Sequence, residues 1–459
     1  MNTAALTSFG TSFQGEIVLP GSATYDAARI VWNGIIDRRP AVIARCTSVE
    51  DVRGAVLFAG EQDLVVAVRC GGHSVGGFST CDDGIVIDLS TMHGVRVDPD
   101  ARVASVQGGS LLQELDAAAQ EHGMACPVGV VGHTGVGGLT LGGGMGRLQR
   151  HWGYSIDNML AVELVTADGE RIRVSEDENA DLFWGIRGAG PNFGVVTSFE
   201  FRVHELGPTV TQGLLIFPPE RAHQVAARVR EWAPDAADEV MTSYSFGQAG
   251  GGPPDPAGYE GRPMLYMGVT HSGSPDAVDE DLRPLRELEP LVDTIEPRRY
   301  LDVQTMADED MAWGKRFYMK GGFLAGLSDD YVHAGLECVA AAPTAGDTIT
   351  LWLQGGAISR VDPESMAFTS TGRQAPFWLG VECEWSGAEL DEAHIAWGRS
   401  TMAALEPFTT AGHYVNDLVE TGQDIARSVY GDAKYERLVA LKRTYDPDNV
   451  FRLNQNIRP

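Results

Sequence analysis

The chain has 459 residues, long enough for two or three packed units, with 43% hydrophobic residues and 55 glycines. Its formal charge of -28 at pH 7 argues against nucleic acid and anionic membrane surfaces, which require a basic patch, and no lysine/arginine run interrupts the acidity. The opening MNTAALTSFGTSF lacks the basic-then-apolar pattern of a signal peptide, no apolar window of about 18 residues occurs, and the six cysteines are too scattered for a disulfide lattice or a paired zinc motif. The expectation is a cytoplasmic protein with reduced thiols, no membrane span and no metal site, monomeric or homodimeric.

In chain order, YDAARIVWNGII (25–36) reads as a helix and AVIARC (41–46) as a buried strand. SVEDVRGAVLFAGEQ (48–62) reads as a helix with a Ser48 N-cap and an early acidic pair. LVVAVRC (64–70) is a strand ending abruptly in GGHSVGG, and GIVIDLS (84–90) is another. A strand (ARVASVQGG) and a helix (SLLQELDAAAQEHG) follow, then a stretch over 126–146 that reads almost wholly as a glycine loop. Strands recur at AVELVTADG, ERIRVS and GVVTSFEFRV. The pattern changes near Gly207-Pro208: beyond it lie amphipathic helices such as ERAHQVAARVREWA and alternating strands such as TITLWLQGG and FWLGVECEW, with a loop at GQAGGGPPDPAGYEGRP (247–263). The expected organisation is an α/β unit over 1–207, an α+β unit over 208–428, and a segment over 429–459 that returns to the first unit.

Two loops concentrate the glycines. The first is Arg69-Cys70-Gly71-Gly72-His73-Ser74-Val75-Gly76-Gly77. It follows a strand, where free backbone amides can face an anion, and Arg69 and Ser74 add donors. A tight strand-to-loop turn is the alternative. The second, 132–146, holds eight glycines in fifteen residues and suits a backbone pressed against a large flat ligand. Neither loop fits G-x-G-x-x-G, and no G-x-x-x-x-G-K-[ST] occurs, which disfavours a nicotinamide site or a P-loop. Two separate loops, one with a histidine, suggest a long diphosphate ligand carrying a reactive ring.

RCGGHSVGG, TGVGGLTLGGGMG, WGYSIDN, DLFWGIRGAGPNFGVVTSFEF, GHYVN and YDPDNVFRLNQNI stand in the order found in the vanillyl-alcohol-oxidase or PCMH-type flavoproteins. The chain resembles in particular the berberine-bridge-enzyme-like FAD oxidases, over nearly its whole length. That resemblance implies an α+β fold: a PCMH-type FAD-binding domain of two α/β subdomains, plus a substrate domain with an antiparallel sheet flanked by helices. It implies FAD bonded through a ring nitrogen of His73 to the 8α-methyl of the isoalloxazine; a neutral imidazole is a suitable nucleophile for that carbon. The alternative for His73 is a loop histidine donating to phosphate. Some members add a cysteinyl link. The aligned position here is Val131, and Cys126 reads as a small buried residue, so a single link is expected. By the same resemblance Cys70, Gly71, Gly72, Ser74 and Gly77 of the first loop, and Gly132, Thr134, Gly137, Gly138 and Gly142 of the second, contact the cofactor. Asn158, Val196, Asn454 and Asn456 are expected to join them, although each asparagine also reads as a structural amide.

A flavin oxidase needs a base within hydrogen-bond reach of the reacting carbon's proton. Alternation puts Thr350, Trp352 and Gln354 on one face of TITLWLQGG, and Trp378, Gly380, Glu382 and Glu384 on one face of FWLGVECEW. Glu382 beside a flavin would be desolvated and suited to take a proton; a solvent-facing glutamate is the alternative. Tyr414 matches a family tyrosine, and Asp417 replaces a second tyrosine that many plant members carry three residues on. Glu382, Tyr414, Asp417 and Tyr244 therefore stand as candidate bases, with core packing the alternative for Tyr244. Thr134 falls where the family has a small residue controlling oxygen approach. Leu139 and Met145 are expected to line the substrate cavity with Trp352, Gln354 and Trp378, and His133 to hold backbone groups. The resemblance implies a small-molecule substrate and dioxygen as partners. A dehydrogenase using another acceptor, or a flavin-binding protein without catalysis, is the rival reading.

Overall fold

The structure is a computed structural model describing residues 3–250 and 254–459; the centre of the expected 247–263 loop, residues 251–253, lies outside the described residues. Three mainly apolar runs of four residues and the shorter Glu16–Val18 make the first sheet, ordered Glu16–Val18, Val42–Arg45, Ile85–Asp88, Val66–Arg69, with its last three strands parallel. Such strands are covered on both faces, which is why they read as continuous rather than alternating. The helix Val49–Glu61 covers one side with Val52, Val56 and Ala59, and Ser48 caps it by accepting from the Asp51 N–H. The second sheet is antiparallel, ordered Val95–Asp98, Val103–Gln107, Val195–Arg202, Met159–Val165, Arg171–Ser175. Helices Leu112–Gln120 and Ala180–Ala189 pack in its core.

Beyond residue 207 the strands join one nine-stranded sheet. Its central order is Thr209–Phe217, Pro263–His271, Val240–Gln248, Asp347–Leu353, Phe377–Trp385, Arg316–Leu324. Ile349, Leu351, Leu379 and Val381 bury one face under helices Ala222–Trp232, Asp329–Ala340 and Asp391–Leu405. Each such aliphatic side chain removed from water contributes roughly 1.5–3 kcal/mol. The opposite face meets the first unit: Phe323 and Trp378 pack with Met145 and Tyr154. The α+β architecture is thus the expected one.

Three local expectations change. The helix expected over 25–36 is only Tyr25–Arg29; Val31 and Trp32 beyond it are buried in irregular chain. The glycine-rich stretch contains a short helix, Val136–Leu141. The chain also recrosses to the first unit ahead of residue 429, since Leu418 and Ala426 already lie in that unit's core.

Candidate active site

The strand Val66–Arg69 delivers the first glycine loop to the mouth of a cavity, and the 132–146 loop forms the facing wall. The two backbones touch. A Cβ on Gly135 would collide with the Gly71 amide and the Cys70 Sγ, so only glycine permits this approach. The cavity is lined by Cys70, Gly71, Gly72, His73 and Ser74 from one side and by Thr134, Gly137, Gly138, Leu139 and Gly142 from the other. Val196 comes from the central strand of the second sheet, and Asn454 from the C-terminal tail.

The cavity's polar inventory fits a ligand. The side-chain oxygens of Ser79, Asn454 and Gln455, three lining residues, are buried with no hydrogen-bond partner. Each such atom left unsatisfied costs about 1–3 kcal/mol, which a ligand offering donors removes. Val66, Val68, Leu89, Phe199 and Leu453 supply apolar wall for flat rings. Glycine amides beside apolar slots suit a molecule with a diphosphate centre and aromatic ends.

His73 lies in this wall. Its ring stacks on Trp32, centroids 4.5 Å apart, and its Nε2 is 2.5 Å from Nδ1 of His133. Burial first, and then His133, pushes the His73 pKa down to about 3, so the ring is neutral near pH 7. Nε2 of His133 in turn lies 3.4 Å from the Asp308 carbonyl oxygen.

Five expected cofactor residues lie outside the cavity lining. The Arg69 guanidinium turns to Asp88, 2.6 Å away, because a buried cation requires a partner. Gly77 closes the loop by donating to the Ser74 carbonyl and packs against Ile36. Gly132 donates to Asp308 Oδ1 at 2.6 Å. Asn158 is a structural amide: its Nδ2 donates to the carbonyls of Trp152 and Tyr154, and its Oδ1 faces His204. The Asn456 carbonyl accepts from Gln423, and its side chain is not part of the lining. Asn192, Asn416, Tyr430 and Gln455 line the cavity without having been singled out. Asn192, Asn416 and Gln455 stand inside RGAGPNFGVV, GHYVN and FRLNQNI, so the motifs were a signal for them; for Tyr430 there was none. Val131 is absent from the lining, and Cys126 is fully buried in the first unit's core.

On the sheet face turned toward the first unit, Glu382 accepts from Thr350 Oγ1 at 3.0 Å, and Ser245 Oγ lies 3.1 Å from the same Thr350 oxygen. Burial raises the Glu382 pKa. Asp417 accepts from Trp378 Nε1 at 2.7 Å; burial, reinforced by the negative charge of Glu382, pushes its pKa up to about 8. Trp352 meets Trp378 edge to face at 6.1 Å.

Other candidates are committed elsewhere. Tyr244 is on the helix-covered face, in the core with Leu351 and Phe377, and accepts from Thr242 Oγ1; it is not a base for this cavity. The Tyr414 hydroxyl accepts from the N–H groups of Gly144, Met145 and the Asn416 amide, and burial pushes its pKa up to about 12. It thereby fastens the glycine loop. Met145 packs beside it in the core between the units. Gln354 is buried with its Oε1 taken by the Tyr154 hydroxyl, which removes it from substrate contact. Glu384 pairs with Lys315. Leu139, expected on the substrate side, lines the cofactor cavity.

Among the described residues no group of three or more His, Cys, Asp or Glu is placed to hold a metal, and no helix is long and apolar enough to cross a membrane.

The fold and this cavity present one groove for a long, flat cofactor between two glycine loops, and comparison with known proteins gives the class. Residues 40–175 match the family model described as FAD binding domain, and residues 413–458 match that described as berberine and berberine like. The chain belongs to the berberine-bridge-enzyme-like family of FAD-linked oxidoreductases. It is similar to (R)-6-hydroxynicotine oxidase of Paenarthrobacter nicotinovorans, with 32% identity covering 98% of this chain and 97% of that one. It is 30% identical to an FAD-linked oxidoreductase of Dictyostelium discoideum, covering 100% of this chain and 97% of that protein. The crystal structure of 6-hydroxy-D-nicotine oxidase from Arthrobacter nicotinovorans superposes with a TM-score of 0.88 at 31% identity, covering 98% of both chains. Xylooligosaccharide oxidase from Myceliophthora thermophila shares the fold, with a TM-score of 0.87 at 22% identity, covering 100% of this chain and 99% of that one.

Proposed function

We propose that the chain is an FAD-dependent oxidase that carries its flavin on His73 through a single covalent link. It oxidises a small neutral or aromatic organic molecule, an alcohol, phenolic metabolite or sugar, and returns the electrons to dioxygen as hydrogen peroxide. The observation that carries this reading is a neutral His73 in the wall of a cavity between two glycine loops, with unsatisfied polar atoms at its other residues. Relatives named as oxidases of 6-hydroxynicotine and of xylooligosaccharide support it. We place the protein in the cytoplasm, as a monomer or homodimer.

Bound in this cavity, FAD supplies the two-electron acceptor. The chain's own residues manage the proton. Glu382 and Asp417 are two carboxyls close enough to influence one another, and near pH 7 Asp417 keeps its proton. Glu382, held by Thr350, is the acceptor of the substrate proton at Oε2, and its raised pKa makes it a better base than an ordinary carboxylate. Trp378 fixes Asp417, while Trp352 and Trp378 form an apolar wall that keeps water from both.

A peroxide-coupled screen across alcohols, sugars, phenols and amines identifies the substrate. Anaerobic reduction followed by admission of air then tests the oxidase reading. Bleached flavin regaining its colour within seconds, with one hydrogen peroxide per flavin, is expected; reoxidation over many minutes would make it a dehydrogenase.

A further inference from the structure

Helix Leu112–Gln120 buries Leu112, Leu115 and Ala119 together with one carboxyl, Asp116, whose exposure is 1%. A charge in such a place needs a cation or several close donors. Asp116 has two long contacts instead, both from the helix Tyr300–Thr305, which packs against it from the second unit. The Tyr300 hydroxyl lies 3.4 Å from Oδ1, and Gln304 Nε2 donates to Oδ2 at 3.1 Å. Burial, only partly offset by these two donors and by the charge of Arg147, pushes the Asp116 pKa up to about 7. Cys126 and Tyr300, the other titratable groups facing it, are pushed up by burial and stay neutral.

The same side chains hold the base of the second glycine loop. Residues 129–132 lead into that loop, and Arg147 follows it. The Gly129 carbonyl accepts from the same Gln304 Nε2 at 3.2 Å, and the Val130 carbonyl accepts from Arg147 Nη1 at a long 3.3 Å. Asp308 Oδ1 takes the Gly132 amide at 2.6 Å, and its charge also acts on Arg147. Gln304 Oε1 is buried without a hydrogen-bond partner, so nothing on that side holds its amide in place. Burial lowers the Arg147 pKa only to about 10, so it remains a cation near pH 7 and is drawn by any negative charge beside it.

We propose that Asp116, Gln304 and Arg147 form a pH-sensitive latch on the base of the second glycine loop, closed while Asp116 is neutral and loosened when it ionises. An Asp116 carboxylate draws Gln304 Nε2 and the Arg147 guanidinium to itself, and the carbonyls of Gly129 and Val130 lose their donors. Thr134, Gly137 and Gly138, a few residues on, line the cofactor cavity, so the latch sets how firmly that wall is held. In the closed form the Asp116 pKa, about 7, exceeds the ordinary 3.8. The grip is therefore complete below about pH 4 and is lost as pH rises through about 7. None of this depends on whether His73 bears the flavin.

Hydrogen–deuterium exchange of the purified holoprotein tests it, read by mass spectrometry on peptides spanning 127–135 and corrected for the intrinsic pH dependence of exchange. Wild type is expected to lose about tenfold in protection there between pH 6 and pH 8, the change implied by a carboxyl that regains its ordinary pKa in the loosened form. Asp116→Asn, which keeps the size of the neutral acid and never ionises, should hold its pH 6 protection at pH 8. Arg147→Gln, which keeps a donor for Val130 but no charge, should show a smaller step than wild type. Equal protection of wild type at both pH values, or the full step in either variant, overturns the latch. So does an equal step in the helix Asp391–Leu405, which would mark a change in the whole fold. Should Asp116→Asn fail to fold, wild type and Arg147→Gln still decide.

Discussion

Asp417 keeps a carboxyl buried beside Trp378 and Gly321, and its proton is within reach of ordinary changes in pH. Its folded pKa, about 8, lies above the ordinary 3.8, so folding favours the neutral acid. That contribution to stability is complete below about pH 4 and is lost as pH rises through about 8. Asp417→Asn, which keeps an acceptor for Trp378 and never ionises, should therefore gain about 4 kcal/mol over wild type at pH 9 relative to pH 5. Urea unfolding at the two pH values measures it; parallel stabilities at both would contradict a buried neutral Asp417. At Glu382 the expected effect is kinetic. Glu382→Gln should bind FAD normally but slow flavin reduction by substrate about 10²–10⁴-fold in stopped-flow absorbance. His73 and the glycines around it were legible because their residue types are tied to one backbone task. Arg69, Asn158 and Tyr244 were not. Sequence gives a donor or a hydroxyl, but the direction each faces is set by Asp88, by two carbonyls of a neighbouring turn, and by the helices over the sheet.

At the scale of elements, the loops hold the cofactor groove and the sheets hold the loops. Gly135→Ala should push the two glycine loops apart, since its Cβ meets backbone at Gly71 that cannot yield. The expected result is protein purified with less than half the wild-type flavin, read from absorbance at 280 nm and about 450 nm. A full complement of flavin would show that the contact is not what shapes the groove. The helix Val49–Glu61 was readable from its start, because Ser48 accepts from the Asp51 amide and acidic residues fill the first turn. Ser48→Ala should lower stability by about 1 kcal/mol in thermal or urea unfolding. The strands Val42–Arg45, Val66–Arg69 and Ile85–Asp88 were equally plain, being short apolar runs bounded by turns. The helix Val136–Leu141 was hidden, since its glycines argue against helix while packing under Phe199 allows it. Alternation found which residues of Val240–Gln248 share a face but not which face the helices cover, because that depends on strands and helices distant in sequence.

The whole molecule is closed by its own C-terminus. Lys442 and Asp446 form an ion pair with both side chains fully buried, and Lys442 also donates to the carbonyls of Asn192 and Phe451, two residues of the cavity wall. Asp446 accepts from the amides of Val450 and Phe451. The return of the tail was legible in YDPDNVFRLNQNI, but the buried pair beneath it was not, since nothing in sequence marks a lysine as interior. Lys442→Met would leave a buried carboxylate uncompensated and should cost about 3–5 kcal/mol, with flavin lost more readily on heating. The account rests on the flavin being carried by His73, and acid precipitation of the purified protein tests that directly. Wild-type protein should retain its yellow colour in the pellet at close to one flavin per chain, and His73→Ala should release all of it to the supernatant. Flavin released from wild type, or retained by His73→Ala, would contradict it.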